Sequence, residues 1–236
     1  GTGKETNERL KFQIREGASG LSVILDVLGQ MGLDADHPRA KNEIGVQGVN
    51  YTSLKDMWDL TEGIPLDKIT MSFNIASSLT VSVVLAAYIL AAERQGVAMN
   101  CLRGTTQNDS LHARYCGFKI SNPVDLGVKM AVDNIEFSTK YMPQWNTINV
   151  NLYDMREMGI NAAQEIAFGF SHARVYVRES LKRGLNVDDF APRMAFYCSA
   201  HIDFFEEIAK FRAARRIWAK IMRDEFGAKD PKSMKF

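Results

Sequence analysis

Two short stretches decide the fold: Ile69-Thr-Met-Ser-Phe-Asn-Ile75 and Thr147-Ile-Asn-Val-Asn-Leu-Tyr153. In each, polar and apolar residues alternate, with Thr70, Ser72 and Asn74 in the first and Asn149, Asn151 and Tyr153 in the second. Successive strand side chains point to opposite faces, so each polar set shares one face. A doubly wound sheet buries both faces and favours unbroken apolar strands. A polar face on an interior parallel strand instead fits a barrel whose lumen holds a polar ligand. A packed barrel interior whose polar side chains bond one another gives the same pattern, and periodicity does not separate the two.

Working outward, three further β-rich runs are Leu21–Asp26, Leu102–Gln107 and Met194–Cys198. Helical patterns fill the intervals: Thr6–Glu16 before the first run, then Ser53–Leu60, Ser77–Gln95, Pro123–Tyr141, Ala162–Arg183 and Asp203–Phe226. Pro123 suits a first helical turn, and Gly96 and Gly184 suit C-terminal caps. This alternation predicts βαβ units and a parallel sheet. The expected fold class is α/β, a (β/α)8 TIM-type barrel. A complete barrel needs eight strands in roughly 250 residues. The five runs predict about the first five βα units, so residues 1–236 read as a partial barrel domain, the remainder lying in another segment or chain.

Composition bounds the function. With 29 Lys plus Arg against 28 Asp plus Glu, the net charge is +1, which argues against a dedicated nucleic-acid binder. Hydrophobic residues make up 46%, enough for a sizeable core. The longest apolar stretch, Leu79–Ala92, falls short of the roughly 20 residues of a membrane span, so no membrane association is expected. Cys101, Cys116 and Cys198 are odd in number and widely spaced, unlike a disulfide framework or zinc site. With a polar start lacking a leader pattern, they predict a cytoplasmic protein.

Local motifs are ambiguous taken singly. Gly104-Thr-Thr-Gln-Asn-Asp109 ends the third run and crowds donors and acceptors there, or supplies a helix cap through Asn108 or Asp109. Tyr153 and Asp154 end the fourth run, with Glu157 in a following loop helix. The two carboxylates are either acid/base groups or caps and ion-pair partners. Asp203–Trp218 reads as an amphipathic covering helix, with Phe204, Phe205, Ile208, Phe211 and Trp218 as its apolar stripe and Glu206 and Glu207 in surface pairs with Lys210 and Arg212. The four His show no metal-ligand spacing, so no metal site is expected.

Taken together, Gly20-Leu-Ser-Val-Ile-Leu-Asp26, Gly32-Leu-Asp-Ala-Asp-His-Pro-Arg39, Gly45-Val-Gln-Gly-Val49, Gly63-Ile-Pro-Leu-Asp-Lys68, Gly104–Asp109, Phe190-Ala-Pro-Arg193 and Glu207–Arg215 resemble the substrate-binding barrel of the methylmalonyl-CoA mutase family, in that family's order. The stretch Ala200–Trp218 is most similar to the isobutyryl-CoA mutase branch. The resemblance implies an isomerase, an intramolecular transferase that rearranges the carbon skeleton of an acyl-CoA thioester by radical chemistry with adenosylcobalamin. It implies that Ser22, Ser72, Thr105, Asn146 and Arg193 line the CoA arm or its phosphates, and that Asn74, at a substrate-binding position, stands where the family often has Thr. Gln107 and Tyr153 match residues on the substrate side, and Leu25 and Glu157 match positions facing the corrin.

Two positions depart from the family. Gly117 stands where methylmalonyl-specific members place an Arg for the free carboxylate, and losing such a partner costs about 1.5–3 kcal/mol of binding. Asp154 stands where a His commonly donates to the thioester carbonyl, which an ionised Asp cannot do. The expected substrate is therefore an acyl-CoA other than methylmalonyl-CoA. The family's DxHxxG cobalamin motif is absent from the sequence, so the cofactor is expected mainly on another domain or subunit, in a dimer or heterotetramer. A non-catalytic acyl-CoA-binding or assembly subunit is the alternative, and an unrelated aldolase-like barrel is a weaker one.

Overall fold

A computed structural model describes residues 1–75, 77–114 and 123–236. The five runs form parallel strands in sequential order. They are β1 (Gly20–Ile24), β2 (Thr70–Asn74), β3 (Arg103–Thr106), a fourth position divided into β4 (Trp145–Asn146) and β5 (Ile148–Asn151), and β6 (Met194–Tyr197). β1, β2, β3 and β4 pair in that order, and β5 pairs with β6. Among the described residues β1 and β6 each pair on one side only.

The expected single strand Thr147–Tyr153 is thus corrected at both ends. It starts earlier, breaks at Thr147, and stops at Asn151, with Tyr153 and Asp154 already in helix. The break is a local insertion in the alternation. Trp145 is buried in a core with β1–β3, Ile148 and Val150 in a second core, while Asn146 and Asn149 are only half-buried. One extra residue between the segments, Thr147, whose N–H donates to Arg193 O at 3.0 Å, returns both asparagines to the face away from the cores, as a β-bulge does. Beyond the break, side chains replace the ladder. Asn108 Nδ2 donates to Thr147 O at 3.1 Å, Asn149 N donates to Asn108 Oδ1 at 3.3 Å, and Asn151 N donates to Asp109 Oδ2 at 3.1 Å.

Five principal helices match the expected ones to within a turn: α1 (Gly3–Arg15), α3 (Leu54–Thr61), α4 (Ser78–Arg94), α5 (Val124–Tyr141) and α7 (Ala162–Lys182); the sixth, α9 (Phe204–Lys220), ends as α-helix six residues before the expected Phe226 and runs on as a π-helical turn over Ile221–Glu225. Three short ones are α2 (Val27–Met31) and α8 (Val187–Phe190), which lack a full period of pattern, and α6 (Tyr153–Glu157). Capping is local: Thr2 with Glu5 on α1, Asn161 with Gln164 on α7, and Asp203 on α9. The first core joins β1–β3 to α3 and α4; the second joins β5 and β6 to α5, α7 and α9. Gly104 permits close packing at their junction, since a Cβ there would lie 1.9 Å from Met71 O and 2.6 Å from the Trp145 ring.

Helix α9 keeps only the C-terminal part of its expected apolar stripe, with Trp218 buried and Phe211 half-buried. Phe204, Phe205 and Ile208 are exposed, whereas Glu207, Lys210, Ala214 and Trp218 are buried. The expected surface pair Glu207–Lys210 is an internal one. Lys210 Nζ lies 2.8 Å from Glu165 Oε2, 2.5 Å from Glu207 Oε2 and 2.8 Å from Ser199 O. Burial alone would lower the ammonium's pKa, but the Glu165 and Glu207 carboxylates outweigh it and raise it. The moment of a helix reports polarity and is blind to a buried ion pair that satisfies itself.

Candidate functional site

Helices cover one face of the sheet; the other is open. Along β1, Leu21 and Val23 are buried while Ser22 and Ile24 are exposed, and β2 alternates in step. The register aligns Ser22 with Ser72, Ser72 with Thr105, and Thr105 with Asn146. Four residues read separately from sequence thereby form one polar row across four adjacent strands. Part of this row is satisfied internally, with Asn74 Nδ2 donating to Ser22 Oγ at 3.0 Å. Part of the face is not: Thr105 Oγ1 and Asn149 Oδ1 are buried and have no hydrogen-bond partner. A buried polar atom without a partner costs about 1–3 kcal/mol, so a complementary group there is worth binding energy.

One step toward the C-terminal strand ends, a cleft of about 350 Å³ is lined by Ile24, Gln30, Asn74, Gln107, Tyr153, Asp154, Glu157, Met158, Tyr197 and His112. It brings together Asn74, Gln107, Tyr153, Asp154 and Glu157, while Asn151, expected on the same lumen, is fully buried and does not line it. Gln107 is set by its backbone N–H bonding Phe73 O at 3.0 Å. Leu25 is instead turned into the first core at 3% exposure, and its neighbour Ile24 opens to the cleft. Arg193 is exposed in a turn before β6, at the other end of that strand from Tyr197, roughly 13 Å away for four residues. Gly117 lies outside the described residues. A larger cavity, about 700 Å³, lies between α3 and α4 at their C-terminal ends, lined by Lys55, Trp58 and Arg94 among others, and takes in none of the expected site residues.

The Asp154 end of the cleft rests on a network that motif spacing did not show. His112, 1% exposed, approaches Asp109 O with Nδ1 at 2.5 Å and Asp154 Oδ2 with Nε2 at 3.3 Å. Asn151 Nδ2 donates to Asp154 Oδ2 at 2.6 Å, and Asp154 N donates to Asn151 Oδ1 at 3.1 Å. Behind them, the Tyr176 hydroxyl donates to Asp109 Oδ1 at 2.7 Å, and His172 Nδ1 lies 3.4 Å from Asp109 Oδ2. Burial works against the Asp109 carboxylate, but the His172 hydrogen bond, the charges of His112 and His172 and the Tyr176 hydroxyl hold it at about 2. Burial likewise opposes charge on His112. The hydrogen bond to Asp154 and the charges of Asp109 and Asp154 outweigh it and raise the imidazole above its ordinary value. At the rim, the Glu157 carboxylate raises the Tyr153 phenol, keeping it a donor. Asp109 also accepts from Leu111 N and His112 N, which is the capping reading of the Gly104–Asp109 motif.

Helix α6, which carries Tyr153, Asp154 and Glu157, is tied to the buried ion pair. Arg156 Nη1 donates to Ile160 O at 2.6 Å, and its Nε lies 3.9 Å from Glu165 Oε2. Glu157 lies 3.4 Å from His201 Nε2 across the rim. Among the described residues no His, Cys, Asp and Glu cluster suits a metal ion. The mouth offers apolar and aromatic surface, namely Ile24, Met158 and the Tyr153–Tyr197 pair with ring centroids 5.1 Å apart. This fits one face of a flat, largely apolar macrocycle, with its metal ligand supplied from elsewhere.

A parallel sheet with one polar open face and a cleft at its C-terminal strand ends defines an α/β module of the parallel-barrel type. The family model for methylmalonyl-CoA mutase matches residues 1–236, and the chain belongs to that family. It is 41% identical over 235 residues to the 2-hydroxyisobutanoyl-CoA mutase large subunit of Aquincola tertiaricarbonis, covering 100% of this chain and 42% of that protein. It is 38% identical over 233 residues to methylmalonyl-CoA mutase of Escherichia coli (strain K12), covering 99% and 32%. Against the mitochondrial methylmalonyl-CoA mutase of Homo sapiens it is 37% identical over 237 residues, covering 99% and 31%. The chain thus spans less than half the length of these relatives.

Proposed function

We propose that this chain is the substrate-binding part of an adenosylcobalamin-dependent acyl-CoA mutase, an isomerase, acting on a thioester other than methylmalonyl-CoA. The single observation that carries the reading is the aligned row Ser22–Ser72–Thr105–Asn146, with its unpartnered Thr105 oxygen, leading to the Gln107–Tyr153–Asp154 cleft. The row suits the amide-bearing pantetheine arm, with Arg193 near the CoA phosphates and the acyl group at the cleft. Ile24, Tyr153, Glu157, Met158 and Tyr197 would meet the cofactor, which supplies radical chemistry when bound. The chain's own tasks are to hold the thioester, orient its acyl end and exclude water.

In this reading residues 1–236 are the first five units of a (β/α)8 barrel. The remaining barrel segment and a cobalamin-binding domain or subunit complete the enzyme, as the 42% and 32% coverage of relatives supports. A dimeric or heterotetrameric assembly in the cytoplasm goes with it; among the described residues no helix is long and apolar enough to cross a membrane. The test is isomerisation of isobutyryl-CoA, 2-hydroxyisobutanoyl-CoA and methylmalonyl-CoA by the full-length protein with its partner segments and adenosylcobalamin, read by mass spectrometry. Rearranged product from either of the first two supports the proposal. Thioester binding without product from any of the three would make the chain a non-catalytic acyl-CoA-binding or assembly subunit.

A further inference from the structure

The cleft holds a histidine that no motif assigns a task, and its two contacts fix its proton content. His112 Nδ1 faces the carbonyl oxygen of Asp109 at 2.5 Å. A carbonyl oxygen only accepts, so Nδ1 carries a hydrogen. The neutral ring would then turn a bare lone pair from Nε2 onto the Asp154 carboxylate at 3.3 Å. The contact is attractive only with a second proton between Nε2 and Oδ2. His112 is 1% exposed, whereas the Asp154 side chain is 28% exposed and forms the cleft wall. Asp154 Oδ2 is engaged by Asn151 and His112. The dyad therefore carries no net charge, and its outer member offers the cleft an oxygen that accepts hydrogen bonds.

We propose that His112 is the positioning residue of the acyl pocket, and that the His112–Asp154 pair selects acyl-CoA thioesters whose acyl chain bears a hydrogen-bond donor such as a hydroxyl. The inference rests on the acyl-CoA reading above. A hydroxyl at the cleft donates to Asp154 in a charge-assisted bond, whereas a second carboxylate on the substrate has no hydrogen to donate to Asp154 and meets the Glu157 carboxylate in the same cleft. The titratable groups around His112 are Asp109 from the loop after β3, Asp154 and, across the cleft, Glu157 from α6, and His172 and Tyr176 from α7, which reach it through Asp109.

The test is calorimetric binding of isobutyryl-CoA, 2-hydroxyisobutanoyl-CoA and methylmalonyl-CoA to the complete enzyme without adenosylcobalamin, so that no turnover intervenes. The first two differ by one hydroxyl. The hydroxylated thioester should bind on the order of ten- to a hundredfold tighter than isobutyryl-CoA, and methylmalonyl-CoA weakest. Asp154→Ala, at a partly exposed position, should bring the ratio of the first two near one. His112→Gln should lower that ratio severalfold and should abolish its fall as pH rises through loss of the dyad's proton. A ratio near one in the unmodified enzyme, or one that survives Asp154→Ala, overturns the inference. A pH-dependent ratio that persists in His112→Gln overturns the role of His112. Failure of all three thioesters to bind would instead sink the acyl-CoA reading.

Discussion

The side-chain amide of Asn108 bonds Thr147 O and Asn149 N, at 3.1 and 3.3 Å, and so stands in for a strand backbone between β3 and β5. The sheet continues across a bulge because a side chain supplies both a donor and an acceptor at peptide spacing. Asn108 is fully buried. Asn108→Ala leaves two interior backbone groups unpaired, at about 1–3 kcal/mol each. A loss of about 2–4 kcal/mol in a urea titration of the full protein is expected. Asn108→Asp should be no milder, since a carboxylate cannot donate to Thr147 O.

Thr105→Val separates binding from folding. Thr105 Oγ1 has no partner to lose, and the replacement is close in shape. The melting temperature should move by no more than about 2 °C, while affinity for a CoA thioester falls several-fold, the worth of one hydrogen bond. Unchanged affinity would remove Thr105 from the ligand path.

Acid should act through Asp109. Its carboxyl is held at about 2 in the fold, below the roughly 3.9 of an unfolded chain. A depressed folded pKa contributes stability that is present above the unfolded value and lost as pH falls toward the folded one. The contribution, on the order of 2 kcal/mol, should disappear between about pH 4 and pH 2. His112 has the opposite sign. Its raised pKa contributes stability that is full below about 6.5 and is lost as pH rises through the folded value. Stability against pH, measured by chemical denaturation, should show both limbs. Asp109→Asn should flatten the acid limb, and His112→Gln the alkaline one.

Lys210→Met should be costly, because it strands Glu165 and Glu207 inside the protein. Removing one partner of a buried pair costs about 3–5 kcal/mol. Glu165→Gln with Lys210→Met should recover part of that loss in thermal unfolding. If the single variant unfolds like the unmodified protein, the ion pair is not the buried contact described.

Much of the architecture was legible in the residues themselves. Period-two alternation placed Ser72 and Asn74, and Asn149 and Asn151, on shared faces, because strand geometry at each residue is local. Helix lengths followed from apolar spacing and from caps such as Asn161 with Gln164. Resemblance to the mutase family brought Ser22, Ser72, Thr105 and Asn146 together, and the register set them in one row.

Only the tertiary structure decided the rest. The bulge at Thr147 depends on Asn108, 39 residues away. The faces of α9 depend on Glu165, 45 residues from Lys210. The pairing of His112 with Asp154 depends on the turn after β3 meeting helix α6 at the strand ends. Periodicity reports what one element prefers to bury, and it carries no record of which distant group will satisfy a buried charge. That information arises when the chain closes long loops. The His112–Asp154 contact is of this kind.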